Sequence, residues 1–239
     1  MHGSISSDEI IPYSDFDGLI ILNDKYNHSK QLKYFLKQSK KIIHDFDPLQ
    51  HHDWFIISKS ELNRYDNTFL PIEVLKNSKL IYPDINLKLD IALKENLDYI
   101  SPFYKLVNSL RYKSSLKNYP RNSYQLKSYI SEILLLPCIY LQAKHEKGIS
   151  KKKSFSLAIN DFKNSEWMAI EIASKIRKNW KFNINIFQRM MAKSNNKIIK
   201  ILYKKLLAPK IDMHIKNLIP QNFNFLIENL IKKMCENLR

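Results

Sequence analysis

The chain has 239 residues, room for one large domain or two small ones, and 44% of them are apolar, enough to build a core. Its net charge of +16 favours polyanions and phosphates as partners, and its two cysteines exclude a disulfide framework and a cysteine-based zinc site, which fits a reducing, cytoplasmic compartment. The apolar runs are too short to span a bilayer and no signal-peptide pattern opens the chain, so no membrane partner is expected.

Gly3-Ser4 stands ten residues ahead of Asp15-Phe16-Asp17-Gly18-Leu19-Ile20-Ile21-Leu22. Gly18 to Leu22 is a short run of β-formers closed by Asn23-Asp24, which predicts a buried strand. Residues two apart on a strand share a face, so Asp15 and Asp17 point the same way while Phe16 points the other. Two carboxylates so close repel each other unless a cation lies between them, and Mg2+ takes carboxylate oxygens together with phosphate oxygens. The pair is therefore a candidate metal clamp for phosphoryl chemistry. Gly3 has no Cβ and lets backbone N–H groups approach a phosphate, and the Ser4 hydroxyl adds a donor. Between them, Ser6-Ser7-Asp8-Glu9 and Pro12-Tyr13-Ser14 read as loop.

Ser29 to His44 carries Leu32, Phe35, Leu36, Ile42 and Ile43 at helical spacing with lysines between, the pattern of an amphipathic helix. The apolar Trp54-Phe55-Ile56-Ile57 then predicts a second strand, which makes a strand–helix–strand unit. His51-His52-Asp53 has side chains that suit zinc, but adjacent histidines entering a strand point to opposite faces and rarely share one ion; His52 is left a local role, contacting phosphate or orienting a carboxylate. Ser60 to Tyr65 predicts a helical turn, and Leu70 to Leu80 a helix with Pro71 near its start. From about Asp98 only helical periodicity remains. Ser101-Pro102 reads as an N-cap and first position, and helices are expected near 102–117, 123–145, 154–162, 165–180, 185–192, 195–207 and 221–238. Pro137 is expected to kink the second of these. Cys138, in the apolar run Leu134 to Leu141, reads as a buried thiol, and Tyr124, Tyr129 and Tyr140 as core or wall residues. Lys151-Lys152-Lys153 opens a helix; cations beside free N–H groups make Lys152 and Lys153 candidates to hold a triphosphate, against the plainer reading of a solvated basic run.

Gly-Ser, a loop of this length and Asp-x-Asp on a strand resemble the signature of the nucleotidyltransferase (DNA polymerase β-like) superfamily. Asp47-Pro48-Leu49-Gln50-His51-His52 and Leu70-Pro71-Ile72-Glu73-Val74-Leu75 resemble an uncharacterised bacterial branch of it. The resemblance implies an α+β fold: a small nucleotidyltransferase-type mixed sheet with flanking helices over residues 1–98, then an all-α domain over 99–239 that chooses the acceptor, with a cleft between. It implies transfer of a nucleotidyl group from a nucleoside triphosphate to an acceptor hydroxyl with release of pyrophosphate. Two Mg2+ ions would be held by Asp15, Asp17 and a third carboxylate from a neighbouring strand. Asp53, at the mouth of the second strand, is the candidate, with Asp90 in the alternating Leu87-Lys88-Leu89-Asp90-Ile91 as its rival. Gly3 and Ser4 would hold the β- and γ-phosphates, and the acceptor is expected to be a small molecule rather than nucleic acid. Only Met1-His2 precede Gly3, where the superfamily carries a helix and a strand. The alternative expectation is therefore a nucleotide-binding or regulatory module of the same fold without turnover.

Overall fold

The structure, a computed structural model, describes residues 11–52, 54–68, 70–81, 91–115 and 119–238. In chain order its elements are β1 (Leu19–Leu22), α1 (Lys30–Phe46), β2 (Phe55–Ser58), α2 (Lys59–Leu62), α3 (Ile72–Lys76), α4 (Ile100–Ser114), α5 (Ser123–Ile133) and α6 (Leu136–His145). After these come α7 (Lys151–Ala158), α8 (Asn164–Lys178), α9 (Ile186–Ala192), α10 (Lys197–Leu202), α11 (Met213–Asn217) and α12 (Phe223–Asn237). The described residues are thus mostly helical, with one two-stranded sheet, an α+β composition. The sheet pairs β1 with β2 in parallel, Leu19 opposite Phe55 and Leu22 opposite Ser58. A parallel pair needs a long crossover, and α1 supplies it.

Two compact units form. One contains Met1–Asn96 together with Ile184–Ala208, the other Leu97–Asn183 together with Pro209–Arg239. The sequence predicts a single boundary, after residue 98; the structure divides the chain after Asn96 and again on either side of Ile184–Ala208.

In the first unit, Ser29 caps α1, its hydroxyl accepting from the Leu32 amide at 3.1 Å. Ser58 and Glu61 form a reciprocal capping box at α2, the Ser58 amide donating to Glu61 Oε2 at 2.6 Å. That backbone bond, with the Ser58 hydroxyl, holds the Glu61 carboxyl below the ordinary glutamate value. Ile57, Leu62 and Tyr65 form a small buried cluster on which Leu19, Ile21, Leu75 and Ile91 pack. Burial, with Asp66 nearby, pushes the Tyr65 phenol up to about 12, and its hydroxyl donates to the Leu70 carbonyl. The segment Ile184–Ala208 joins this unit through polar ties. Arg189 Nη1 donates to the Asp45 carbonyl at 2.9 Å, Lys193 pairs with the Asp45 carboxylate, and the buried Tyr203 hydroxyl donates to the Pro48 carbonyl at 3.2 Å.

The second unit is a helical bundle. Phe103, Val107 and Leu110 of α4, Leu126, Ile130 and Ile133 of α5, and Leu230 of α12 have no more than a trace of exposure; each such side chain stabilises the fold by about 1.5–3 kcal/mol relative to exposure. Tyr129 and Tyr140 are buried as the sequence predicts. The Tyr129 hydroxyl donates to Asn224 Oδ1 at 3.0 Å, and burial drives its phenol pKa upward.

Three local expectations are corrected. The helix predicted over 123–145 is two helices, α5 and α6, separated at Leu134–Leu135, and Pro137 sits in the first turn of α6 instead of kinking a continuous helix. A first turn tolerates proline because its N–H would be unsatisfied there anyway. α4 starts at Ile100, ahead of the expected Ser101 cap; the Asp98 carboxylate accepts from the Ile100 and Ser101 amides at 3.0 and 2.9 Å and does the capping. Lastly, α11 was not expected; Asp212 caps it, accepting from the His214 amide at 2.9 Å.

Candidate functional site

The chain enters the acidic pair from a tight turn. The Ser14 amide donates to the Ile11 carbonyl at 2.8 Å, and the Ile11 amide returns a bond to the Ser14 hydroxyl at 3.1 Å. Tyr13 and Ser14 are buried, while Asp15, Phe16 and Asp17 are half-buried and Asp17 is in a β-bridge. The acidic pair therefore lies where the backbone is already held, at the mouth of β1.

Gln50 does much of the holding. It is 3% exposed, at the end of the buried turn Asp47-Pro48-Leu49-Gln50. The Asp47 carboxylate accepts from the Leu49 amide at 2.9 Å and the Asp47 carbonyl from the Gln50 amide at 3.1 Å, which sets the turn. The Gln50 carboxamide then reads the backbone between the two aspartates. Its Oε1 accepts from the Phe16 amide at 2.9 Å, and its Nε2 donates to the Phe16 carbonyl at 2.9 Å and to the His52 carbonyl at 2.8 Å. One side chain thus imitates a strand neighbour for Phe16 and ties it to the approach to β2.

Trp54 completes the clamp. Its ring meets the Phe16 ring edge-on, centroids 5.0 Å apart, and its Nε1 donates to Ser39 Oγ at 2.9 Å, which anchors it to α1. This packing explains Gly18. A Cβ there would lie 2.3 Å from Trp54 Cζ3 and 2.9 Å from Phe16 Cε1, so any larger residue displaces the indole. The Phe55 amide donates to the Gly18 carbonyl at 2.9 Å and opens the parallel ladder immediately after.

Asp15 and Asp17 are neighbours in one strand approach of the first unit. Gly3, Ser4, Asp53 and Asp90 lie outside the described residues. Lys152 and Lys153 belong to the second unit, exposed in the first turn of α7. Among the described residues, no three His, Cys, Asp or Glu side chains gather in a metal-binding group. His52 is exposed and its ring stacks on Phe55 at 6.1 Å between centroids.

The sequence does not mark Gln50 and Trp54 as site residues, although Gln50 stands in the stretch Asp47 to His52 that carries the family resemblance. The only local signal was a lone amide side chain in an otherwise turn-forming run before a strand. Comparison with protein-family models, curated proteins and solved structures gives no match.

Proposed function

We propose that the chain is a metal-dependent nucleotidyltransferase, which moves a nucleotidyl group from a nucleoside triphosphate to an acceptor hydroxyl and releases pyrophosphate. The observation that carries the reading is the frame around the acidic pair. Asp15-Phe16-Asp17 leads into a strand paired in parallel with the strand that follows Asp53 in the sequence, and Gln50 and Trp54 join the two approaches at Phe16. The chemistry asks for such a frame, because phosphoryl transfer is catalysed by positioning and charge rather than by covalent help from the protein.

The donor set fits Mg2+. Asp15 and Asp17 offer hard anionic oxygens, and this ion is usually held by one or two carboxylates plus phosphate oxygens and water. When bound, a divalent cation neutralises phosphate charge and favours the acceptor alkoxide. Asp15 and Asp17 keep that charge at the mouth of β1. Gly3 and Ser4 hold the β- and γ-phosphates through backbone N–H groups and a hydroxyl. Asp53, with Asp90 as the rival, takes the proton from the acceptor hydroxyl as general base. The acceptor oxygen forms its bond to the α-phosphorus as the bond to the bridging oxygen of the β-phosphate breaks, and pyrophosphate leaves. Lys152 and Lys153 offset phosphate charge. The acceptor is a small molecule.

Thermal melting tests the metal clamp. Wild type should gain stability with Mg2+ plus a triphosphate, and the double variant Asp15→Asn/Asp17→Asn should gain much less. An equal shift in the two proteins sinks the proposal.

A further inference from the structure

The hairpin of α9 and α10 turns an apolar face to solvent. Residues 197–207 read Lys-Ile-Ile-Lys-Ile-Leu-Tyr-Lys-Lys-Leu-Leu, lysine and apolar residues with nothing else. Tyr203, 3% exposed and bonded to the Pro48 carbonyl, fixes which side faces inward. Beyond it the helix widens into a π-turn over Tyr203–Leu207, and Gln188 Nε2 of α9 donates to the Leu207 carbonyl at 2.9 Å. The opposite side must then face out. Ile198, Ile201 and Leu202, at i, i+3 and i+4, share that face, with Ile198 68% and Leu206 73% exposed. α9 adds Ile186 at 81% and Met190 at 68%, one turn apart. Single exposed apolar residues are ordinary, but six on two packed helices and the π-turn that continues the second mark a contact surface.

The charges on the same segment select the partner. Lys197, Lys204 and Lys205 are exposed among these residues. A second copy would bring lysine against lysine on a chain already at +16. Protein interfaces are depleted in lysine, and nucleic acid gives no reason to expose isoleucine and leucine to water. A bilayer with anionic headgroups satisfies both kinds of side chain, with apolar groups at the acyl boundary and ammonium groups among the phosphates. We propose that this surface lies on an anionic lipid membrane. This departs from the expectation of no membrane partner, which rested on the lack of a spanning segment; a peripheral contact needs none, and among the described residues no helix is long and apolar enough to cross a bilayer.

The test is vesicle flotation with the full chain. Vesicles of phosphatidylcholine mixed with phosphatidylglycerol should carry the protein, and pure phosphatidylcholine should carry far less. Replacing Lys197, Lys204 and Lys205 by Gln should weaken partition about fivefold per lysine. Ile198→Gln/Leu206→Gln should lower binding at equal charge, with a circular dichroism spectrum like wild type. Failure to float with anionic vesicles overturns the proposal, as does binding that neither variant weakens. It is also overturned if wild type instead forms a concentration-dependent dimer, or takes up single-stranded RNA but no vesicles, and the Ile198→Gln/Leu206→Gln variant loses that property.

Discussion

Replacing Gln50 with Leu removes the device that holds the backbone between Asp15 and Asp17. Three bonds disappear at once, of 2.9, 2.9 and 2.8 Å. Their loss is unequal. The His52 carbonyl belongs to an exposed residue and can turn to water, and the half-buried Phe16 carbonyl recovers part of its hydration. The part-buried Phe16 amide loses its acceptor to an apolar side chain, and an unmet buried donor costs about 1–3 kcal/mol. With a smaller term for the carbonyls, the expected loss is about 2–3 kcal/mol in urea unfolding at unchanged slope. Gln50→Glu sharpens the test. Its carboxylate still accepts from Phe16 but faces two carbonyl oxygens, so its folded pKa is raised. A raised pKa gives stability that is present at low pH and is lost as pH rises through the folded value. Gln50→Glu should therefore approach wild type in acid and fall behind toward neutral pH. A loss below about 0.5 kcal/mol for Gln50→Leu, the ordinary range of a surface change, refutes the clamp.

Other outcomes follow from the same structure. Gly18→Ala should loosen the Trp54–Phe16 contact, cost about 1–3 kcal/mol as an overpacked site does, and shift tryptophan fluorescence; an unchanged spectrum and melting temperature contradict the 2.3 Å approach. In the second unit, Asp161 accepts from the Tyr140 hydroxyl at 2.9 Å and from Lys144 at 2.7 Å. Burial alone would raise the Asp161 carboxyl, but the bonds from Lys144 and Tyr140 outweigh it and hold it below the ordinary value. A lowered carboxylate pKa gives stability that is present above the unfolded value and is lost as pH falls through the folded one. Wild type should therefore lose about 0.5–1 kcal/mol more than Asp161→Asn below pH about 4, and parallel acid unfolding curves would contradict this. Burial pushes the Cys138 thiol up to about 11, and its sulfur bonds the Ile149 carbonyl at 3.0 Å, so a thiol reagent at neutral pH should label it only on unfolding; rapid native labelling would refute that. Lys152→Ala/Lys153→Ala should weaken triphosphate binding with little effect on melting, and unchanged affinity returns the run to solvated surface.

What the sequence revealed depended on how local the determinant is. The cap at Ser29 and the apolar period of α1 lie within one helix, and the structure runs that helix over Lys30–Phe46. The runs at Gly18 and Trp54 announced β1 and β2 for the same reason. Pro137 was harder to read, because proline is compatible both with a kink and with a first turn, and no glycine or polar cap marks the break at Leu134–Leu135. The helices of Ile184–Ala208 were legible as helices, yet nothing in their period says which unit they join; Tyr203 finds the Pro48 carbonyl far upstream. Asp15 and Asp17 stood out as a pair of like charges before a strand. Gln50 did not, since its role comes from a hydrogen bond to a residue 34 positions away.

Pyrophosphate release bears most directly on the central claim. The full chain is incubated with Mg2+, each nucleoside triphosphate in turn and a panel of small hydroxyl acceptors. Wild type should release pyrophosphate with at least one triphosphate, in step with a labelled, nucleotidylated acceptor. Asp15→Asn and Asp17→Asn should each abolish release while folding normally, and Asp53→Ala should do the same, or Asp90→Ala in its place. Pyrophosphate released equally by wild type and Asp17→Asn would contradict the account.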